Sequence, residues 1–352
     1  MSAQSQSIHL SQPPRAAPTC QTQSVTVVVP VRNEEPYIAR TLDQLLAQDM
    51  SGLDLEIVVV DGQSTDQTRQ IVERYSSCHP ELRLLDNPGR LSSIARNLAI
   101  RASRGEYVLV VDGHCEIPSR RYYQDLVAAF RESGADCLGR PQPLDVSDAT
   151  TLQRAIAAAR SSWLGHHPDS LIYTEQEVDC PAESVAAAYR RSVFEKVGHF
   201  DEQFDACEDC ELNYRIDKAS LRCRLVPFLA VKYEPRNSLF GLFRQLYRYG
   251  RGRVRFMRKH CDTFHLISAL RPLLLVVIAG PFVCWAIPEL WTPYALAIGV
   301  YLSVGFAVSI WQSIRKRDAK LLLWMPAVFV TIHSGAATGI LVETFSRRRK
   351  KH

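Results

Sequence analysis

The sequence lacks the features of several protein classes. Its 352 residues carry a formal net charge of only +5, which by itself predicts no nucleic-acid partner. The ten cysteines are scattered singly apart from Cys207 and Cys210, which favours a reducing compartment over a disulfide framework. Residues 1–23 are rich in Ser, Gln and Pro and contain no apolar stretch like that of a signal peptide. They are predicted to form a disordered tail.

Long apolar runs are present instead, in the last quarter of the chain. Residues 272–287 and 290–311 contain no charged side chain, and Glu289 lies between them. A membrane-spanning helix needs about 20 apolar residues, a length that the second run reaches alone. The first run reaches it over about 266–287 if Arg271 lies at the membrane interface. These runs predict two membrane spans, against the alternative of a buried hairpin in a soluble domain.

A third apolar run, residues 321–342, is predicted either to span the membrane or to re-enter it. Basic residues cluster in 244–259, 315–320 and 347–351, which suggests contact with anionic lipid headgroups. The positive-inside rule favours the cytoplasmic side for both of the last two clusters, and so disfavours a third crossing. Small and polar residues in 333–339 also suit a re-entrant or interfacial element. Two spans plus a re-entrant segment, followed by a basic tail, are favoured.

The first two thirds of the chain alternate between predicted strands and helices. Helical patterns lie near residues 35–48, 66–75 and 92–103. Between them, four short apolar runs are predicted to be buried strands: Val25–Val31, Leu55–Asp61, Leu82–Leu85 and Tyr107–Val111. This alternation predicts a mostly parallel α/β sheet covered on both faces. In such sheets a ligand binds beyond the carboxyl ends of the strands.

Polar residues follow three of these predicted strands. The runs Arg32–Glu34, Asp61–Asp66 and Asp112–His114 would all lie at the same edge of the sheet. Ordinary helix capping, for example by Ser64, is the alternative for any single loop. Three polar strand ends that converge at one edge favour a nucleotide site.

Four motifs together carry a resemblance to a known family. They read "VTVVVPVRNEE", "EIVVVDGQSTDQT", "ARNLAIRASRGEYVLVVDGH" and "VGHFDEQFDACEDCELNYRI". In their order and spacing they resemble family 2 glycosyltransferases, which are inverting, nucleotide-sugar-dependent enzymes with the GT-A fold, a Rossmann-like mixed α/β sheet. The version with "DGH" and C-terminal hydrophobic segments is similar to membrane-bound enzymes of bacterial exopolysaccharide assembly, of the succinoglycan-biosynthesis type. The resemblance covers roughly residues 25–249.

The resemblance implies a division of the chain and a location in the cell. Residues 24–235 would form the GT-A catalytic domain and 236–262 a basic juxtamembrane or interfacial helix. Residues 263–352 would hold the membrane segments and the basic tail. The expected location is the cytoplasmic (inner) membrane, crossed more than once, with the catalytic domain facing the cytoplasm.

In this family a central strand ends in Asp-x-Asp, which holds a divalent cation against the donor's diphosphate. Here the motif reads Asp112-Gly113-His114, so Asp112 and His114 are the implied ligands of Mn²⁺ or Mg²⁺. The imidazole shifts the metal preference of the site towards the softer, later metals. Gly113 would leave room for phosphate to approach the backbone. Glu116 could assist in binding the cation. A histidine in an ordinary surface turn is the alternative for His114.

The resemblance also assigns the catalytic base and the donor contacts. Asp209 is the implied base. The alternative is that this carboxylate only stabilises a helix N-terminus. Cys207 and Cys210 form a C-x-x-C, but no second ligand pair for zinc is evident. The implied donor-binding residues are Asn33, Glu34, Asp61, Ser64, Arg96, Asp112 and Gly113. An arginine on a solvated helix face is the alternative for Arg96.

A further motif, "RQLYRYGRGR", occupies residues 244–253. Gln245, Arg248 and Tyr249 match the Gln-x-x-Arg-Trp motif of membrane-bound polysaccharide synthases, with Tyr in place of Trp. With Glu208, they are the implied contacts of the acceptor and the diphosphate. A charged juxtamembrane helix would use the same basic residues.

The predicted function is transfer of a sugar, with inversion, from a nucleoside-diphosphate donor to a lipid-linked or growing saccharide. A UDP-linked donor is favoured. The expected partners are this donor, the lipid-linked acceptor and the membrane, with no nucleic acid. One alternative is a polyprenyl-phosphate glycosyltransferase. Another, from a different class, is an inactive glycosyltransferase-like membrane scaffold, which the missing second Asp supports and Asp209 opposes.

Overall fold

The computed structural model describes residues 22–166, 170–263 and 280–346. The predicted disordered tail and the basic tail fall almost entirely outside these ranges. So does most of the first predicted membrane segment, of which only residues from 280 onwards are described.

The α/β part of the chain, which precedes helix α8, is built on one mixed sheet of eight strands. Four parallel strands form one half of the sheet, in the spatial order β3-β2-β1-β4. The other half continues beyond β4 in the order β8-β6-β9-β7. The β4–β8, β8–β6 and β9–β7 pairs are antiparallel, whereas β6 and β9 are parallel. The strands are β1 (Gln23–Val31), β2 (Leu53–Asp61), β3 (Leu82–Asp86), β4 (Tyr107–Val110), β6 (Cys137–Gly139), β7 (Val178–Asp179), β8 (Ala186–Arg190) and β9 (Cys223–Leu225).

The first four strands agree with the sequence prediction to within two residues. The second half of the sheet was not predicted, because its strands have only two to five residues and show no long apolar run. A separate antiparallel pair joins β5 (Cys115–Glu116), which follows β4 in the chain, to β10 (Lys232–Tyr233). It brings Tyr233 towards the Asp112 loop.

Helices cover both faces of the sheet, as the alternating pattern predicts. Side chains alternate along β1, so that Val27 and Val29 enter one core and Val28 enters the other. The helices of this part are α1 (Ile38–Leu46), α2 (Thr68–Cys78), α3 (Ser92–Ala102), α4 (Tyr122–Ser133), α5 (Thr151–Arg160), α6 (Arg191–Val197) and α7 (Glu208–Lys218). The α/β fold class predicted from the sequence is confirmed.

Helix α8 (Leu239–Lys259) follows, and two long apolar helices end the described chain: α9 (Trp291–Lys316) and α10 (Leu321–Phe345). The last two are long and apolar enough to cross a membrane. Most of α9 is exposed, whereas α10 is nearly half buried against α5, α8 and α9. His333 of α10 contacts the Tyr301 hydroxyl of α9 at 2.8 Å and the Leu164 carbonyl at 2.9 Å.

Helix α10 is continuous and does not reverse direction as a re-entrant segment would. The small residues that favoured a re-entrant segment instead allow close packing on α8. A Cβ atom on Gly339 would overlap the Tyr247 carbonyl, and one on Gly250 would overlap the Ala336 carbonyl. That this segment does not cross the membrane stays a prediction.

The tight α8–α10 contact leads to a stability prediction. We expect Gly250→Ala to destabilise the protein by about 1–3 kcal/mol, because the added methyl group meets backbone that cannot rotate away. Gly299→Ala on α9 is the matched control, since a Cβ there meets nothing within 4 Å. It should be neutral or stabilise by about 0.5–1 kcal/mol. Thermal unfolding of both variants in detergent measures the difference, and equal melting temperatures would contradict the packing.

Candidate active site

The loops after β1 and β2 are tied together by side-chain hydrogen bonds. The Asn33 backbone N–H donates to the Ser64 hydroxyl at 2.9 Å, and the Asn33 side-chain oxygen Oδ1 accepts from the Thr65 N–H at 2.8 Å. Asn33 adopts a left-handed conformation with φ of 57°, which asparagine tolerates better than most residues. These bonds hold two of the predicted donor-binding residues, Asn33 and Ser64, beside each other.

Asp61, at the end of β2, is buried and accepts a 2.6 Å hydrogen bond from the Ser64 hydroxyl. Ser64 therefore bonds with Asp61 and Asn33 rather than capping α2. Asp66 instead bonds to the start of α2, since it accepts a hydrogen bond from the Thr68 N–H at 3.0 Å. Gln67 is the N-cap residue of α2 and makes no side-chain capping hydrogen bond, whereas Asp61 and Ser64 form one polar group at the sheet edge.

Asp112 lies just beyond β4 and has partners on two sides. It accepts a 3.0 Å hydrogen bond from the Tyr233 hydroxyl, and its other oxygen lies 4.0 Å from the Arg96 guanidinium. Burial opposes ionisation, but the His114 and Arg96 charges outweigh it and lower the pKa of Asp112. Asp112 is therefore a carboxylate at neutral pH. Tyr233 carried no signal in the sequence, because it meets Asp112 only through the β5–β10 pair.

Gly113 is needed for packing in this structure. A Cβ atom there would lie 3.0 Å from a Val31 methyl carbon and 3.2 Å from Glu34 Cγ. The Gly113 carbonyl accepts a 2.9 Å hydrogen bond from Thr41. The space around its missing side chain is thus occupied by the β1 loop.

His114 is held by specific contacts and is not an ordinary turn histidine. Its Nδ1 atom lies 3.1 Å from Glu34 Oε1, and its ring neighbours those of Tyr37 and Tyr233. Burial lowers its pKa, but the hydrogen bond with Glu34 and the Asp112 charge outweigh burial and raise the pKa of His114 overall. Glu116 does not share this site, because it pairs with Lys232 at 3.1 Å.

Arg96 joins two parts of the site that are far apart in the sequence. Its side chain is only 11% exposed and lies 3.3 Å from Glu208 and 4.0 Å from Asp112. Burial lowers its pKa, but Glu208, Asp112 and Asp209 together outweigh burial and raise it. The alternative of a solvated helix face is therefore wrong for Arg96. It bridges the loop after β4 to the start of α7.

A second buried cation, Arg140, was missed by sequence reasoning. It donates to the Tyr122 hydroxyl at 2.9 Å and to the Val110 carbonyl at 2.8 Å, close to the end of β4. Among the described residues, no carboxylate forms an ion pair with it. An isolated arginine after a short strand gives no sequence signal, because its burial depends on the position of β6 in the sheet, where one strand separates it from β4.

The predicted base lies at the first turn of α7. Asp209 is exposed, whereas the adjacent Glu208 is buried, and burial raises the pKa of Glu208 above its usual value despite Arg96. Three acidic residues in this turn, Glu208, Asp209 and Glu211, face the positive end of the helix dipole. Glu211 is fully buried, and its partners Arg215, Lys259 and His260 outweigh burial and lower its pKa to about 2.

Helix α8 packs directly on the loop that precedes the predicted base. Arg248 donates to the Asp205 carbonyl at 2.6 Å, and a Cβ on Gly252 would lie 2.9 Å from the Cys207 sulfur. Gln245 donates to the Tyr249 hydroxyl at 3.2 Å, and Tyr249 is 42% exposed. The predicted acceptor-side residues therefore lie beside the predicted base.

The basic residues of α8 do not all face solvent or lipid. Arg253 pairs with Glu183 at 3.1 Å, Arg255 with Asp205 at 2.6 Å and Lys259 with Asp201 at 2.6 Å. Much of this charge therefore holds α8 on the α/β part of the chain, which the expectation of lipid contact for residues 244–259 did not foresee.

The side chains at this site suit a divalent metal ion that is also coordinated by a bound substrate. Within the ranges that the structure describes, no group of three or more His, Cys, Asp and Glu side chains is arranged to hold a metal ion. This finding also gives no support to a zinc site at Cys207 and Cys210. Asp112 and His114 would supply two ligands, and Mg²⁺ is commonly held by one or two protein groups together with substrate phosphates and water.

Comparison with known proteins agrees with this architecture. The family model described as "Glycosyl transferase family 2" matches residues 26–198. Succinoglycan biosynthesis protein ExoA of Rhizobium meliloti (strain 1021) is 30% identical over 330 residues, which cover 93% of this chain and 97% of that protein. Uncharacterized glycosyltransferase EpsJ of Bacillus subtilis (strain 168) is 27% identical over 203 residues, covering 57% of this chain and 58% of that protein.

A solved structure shares the fold. The mannosyltransferase PcManGT from Pyrobaculum calidifontis, in complex with GDP-Man and Mn²⁺, superposes with a TM-score of 0.56 at 22% identity, covering 95% of this chain and 91% of that chain. Together with the family match and the long alignment to the succinoglycan protein, this shows that the chain belongs to glycosyltransferase family 2 and is a glycosyltransferase with a GT-A-like fold.

Proposed function

We propose that this glycosyltransferase moves a sugar, with inversion at the anomeric carbon, from a UDP-linked donor to a lipid-linked or growing saccharide in exopolysaccharide synthesis. One observation carries the proposal. Buried Arg96 brings the Asp112–His114 loop and the Glu208–Asp209 turn together, through contacts of 4.0 Å to Asp112 and 3.3 Å to Glu208. The groups proposed for the leaving diphosphate and for the attacking hydroxyl therefore lie on two sides of the Arg96 guanidinium.

The proposed reaction is a single displacement. Asp209, exposed at the first turn of α7, accepts the proton of an acceptor hydroxyl. The hydroxyl oxygen forms a bond to the anomeric carbon as the bond to the nucleoside diphosphate breaks on the opposite face, which inverts the configuration. Arg248, beside the base loop, can pair with the departing diphosphate, and Tyr249 offers an aromatic face to a sugar.

Asp112 and His114 would hold the divalent cation. When bound, the cation offsets the negative charge that develops on the departing nucleotide. The mannosyltransferase from Pyrobaculum calidifontis contains Mn²⁺, which supports a cation of the same class here. The polar group of Asn33, Asp61 and Ser64 would receive the nucleoside, with Asp61 accepting from a base N–H.

A donor screen on purified membranes tests the proposal. Release of free nucleotide is measured for a panel of UDP-, GDP- and dTDP-linked sugars, with and without added Mn²⁺ or Mg²⁺. We expect release from a UDP-linked sugar that rises when lipid-linked saccharide is added. Equal stimulation by bare polyprenyl phosphate would favour the alternative acceptor. Lack of release from every donor would contradict the proposed reaction.

The proposed location is the cytoplasmic membrane, with both ends of α10 on the side of the catalytic part. Packing of α10 along α5 and α8 supports this, together with the 2.9 Å ion pair between Arg154 of α5 and Asp318. We expect reporters inserted after Arg317 and fused after His352 to lie in the cytoplasm. A reporter after Glu289 should be exported, because that turn separates the two predicted spans. Export of the reporter after His352 would show that α10 crosses the membrane.

A further inference from the structure

Glu34 makes a contact that its predicted role at the nucleoside does not explain. Its backbone N–H donates to the Thr68 hydroxyl at 2.8 Å, which fixes the residue at the end of β1. Its side chain extends towards the loop after β4, where Oε1 lies 3.1 Å from His114 Nδ1. Both side chains are mostly buried, with 19% of Glu34 and 29% of His114 exposed. The Glu34 carboxylate therefore faces the implied metal ligands.

This contact determines which imidazole nitrogen is available. A carboxylate only accepts hydrogen bonds, so the proton of a neutral His114 must be on Nδ1. Its lone pair is then on Nε2. The rings of Tyr37 and Tyr233, with centroids 6.2 Å and 5.9 Å from that of His114, restrict rotation of the imidazole. The chain thus presents one nitrogen of His114, in one tautomer, as an electron-pair donor.

The same pairing is common at metal sites. Histidines that bind a metal usually donate their second ring N–H to a carboxylate, which fixes the tautomer and increases the basicity of the ligand. Here that carboxylate comes from the β1 loop and the histidine from the β4 loop, with Gly113 between them allowing close contact. Asp112 follows β4 two residues before His114, so the two implied ligands come from the same turn.

We propose that Glu34 is a positioning residue that holds His114 with Nε2 directed at a divalent cation shared with Asp112. This inference rests on the proposed function, since it presumes that Asp112 and His114 bind the cation. Nitrogen ligation favours Mn²⁺ over Mg²⁺, so Glu34 sustains the metal preference as well as the affinity. Glu34 itself touches neither metal nor nucleotide.

Metal binding measured without turnover tests the proposal. Free Mn²⁺ is titrated by electron paramagnetic resonance against the full-length protein in detergent with saturating UDP. We expect Glu34→Ala to weaken Mn²⁺ binding by about 10–100-fold, and Glu34→Gln to weaken it less, because the amide oxygen still accepts the Nδ1 hydrogen bond. Glu35→Gln is the matched control, since Glu35 instead accepts from the Gln67 N–H at 3.0 Å.

A double-mutant cycle with His114→Ala separates positioning from direct contact. If Glu34 acts through His114, Glu34→Ala has no further effect on Mn²⁺ affinity in the His114→Ala background. An undiminished effect there, or weaker UDP binding in the absence of metal, would overturn the proposal in favour of a nucleotide contact. Failure of the wild-type protein to bind Mn²⁺ with UDP would instead remove the cation from the proposed function, and this inference with it.

The tautomer gives a readout that needs no metal. In metal-free protein, ¹⁵N chemical shifts of His114, assigned with His114→Ala, should report a protonated Nδ1 and an unprotonated Nε2 at a pH where the ring is neutral. Glu34→Ala should yield a mixture of both tautomers. A wild-type ring protonated on Nε2, or an unchanged tautomer in Glu34→Ala, would overturn the proposal.

Discussion

Replacing Asp209 by Asn is expected to reduce sugar transfer by about 10²–10⁴-fold, because the amide cannot accept the acceptor's proton. Donor affinity should stay near the wild-type value, since the change keeps the shape of the side chain and the 2.8 Å hydrogen bond that Asp209 Oδ1 accepts from the Cys210 N–H. Initial rates of transfer and calorimetric binding of UDP measure the two effects separately.

The control for this variant is Asp54→Asn, an equal change at an exposed carboxylate near the start of β2. It should leave transfer unchanged, because the start of β2 lies at the opposite end of the strand from Asp61. Transfer by Asp209→Asn within a few-fold of the wild-type rate would show that another group acts as the base. The buried Glu208, whose pKa is raised by burial, would be the next candidate.

Asp112→Ala is expected to abolish metal-dependent donor binding. A carboxylate is the strongest ligand at this site for a hard divalent ion, and its loss also leaves Arg96 with fewer acidic partners and Tyr233 without an acceptor. Donor affinity is titrated with and without Mn²⁺. The matched control is Glu116→Ala, which removes a nearby carboxylate that pairs with Lys232 and should keep the metal dependence. Metal-dependent binding by Asp112→Ala would remove Asp112 from the site.

His114 variants test the second ligand. We expect His114→Asp to be milder than His114→Ala, because it restores the carboxylate pair of the family pattern. It should also shift the preference from Mn²⁺ towards Mg²⁺, because oxygen replaces nitrogen. If both variants show the same affinity and an unchanged Mn²⁺/Mg²⁺ ratio, His114 is not a ligand.

The sequence alone determined the elements that depend on local pattern. Apolar runs followed by polar residues predicted β1, β2 and β4 and the side on which their loops meet, because parallel strands place their carboxyl ends at one edge. The carboxylates Glu208 and Asp209 indicated a helix N-terminus, and α7 begins there, two residues before the helical stretch predicted from Cys210. Long uncharged runs predicted α9 and α10 for the same reason, since each signal is complete within one segment.

The tertiary structure alone decided which distant side chains meet. Burial of Arg96 between Asp112 and Glu208 depends on α3, the loop after β4 and α7 packing together, and burial of Arg140 depends on β6, a strand too short to leave a pattern. The pairing of Glu34 with His114 joins residues that are 80 positions apart. Close packing of α10 on α8 likewise uses glycines that in the sequence suggested a re-entrant segment. Composition and periodicity describe one segment at a time, whereas these contacts arise only when separate segments pack together.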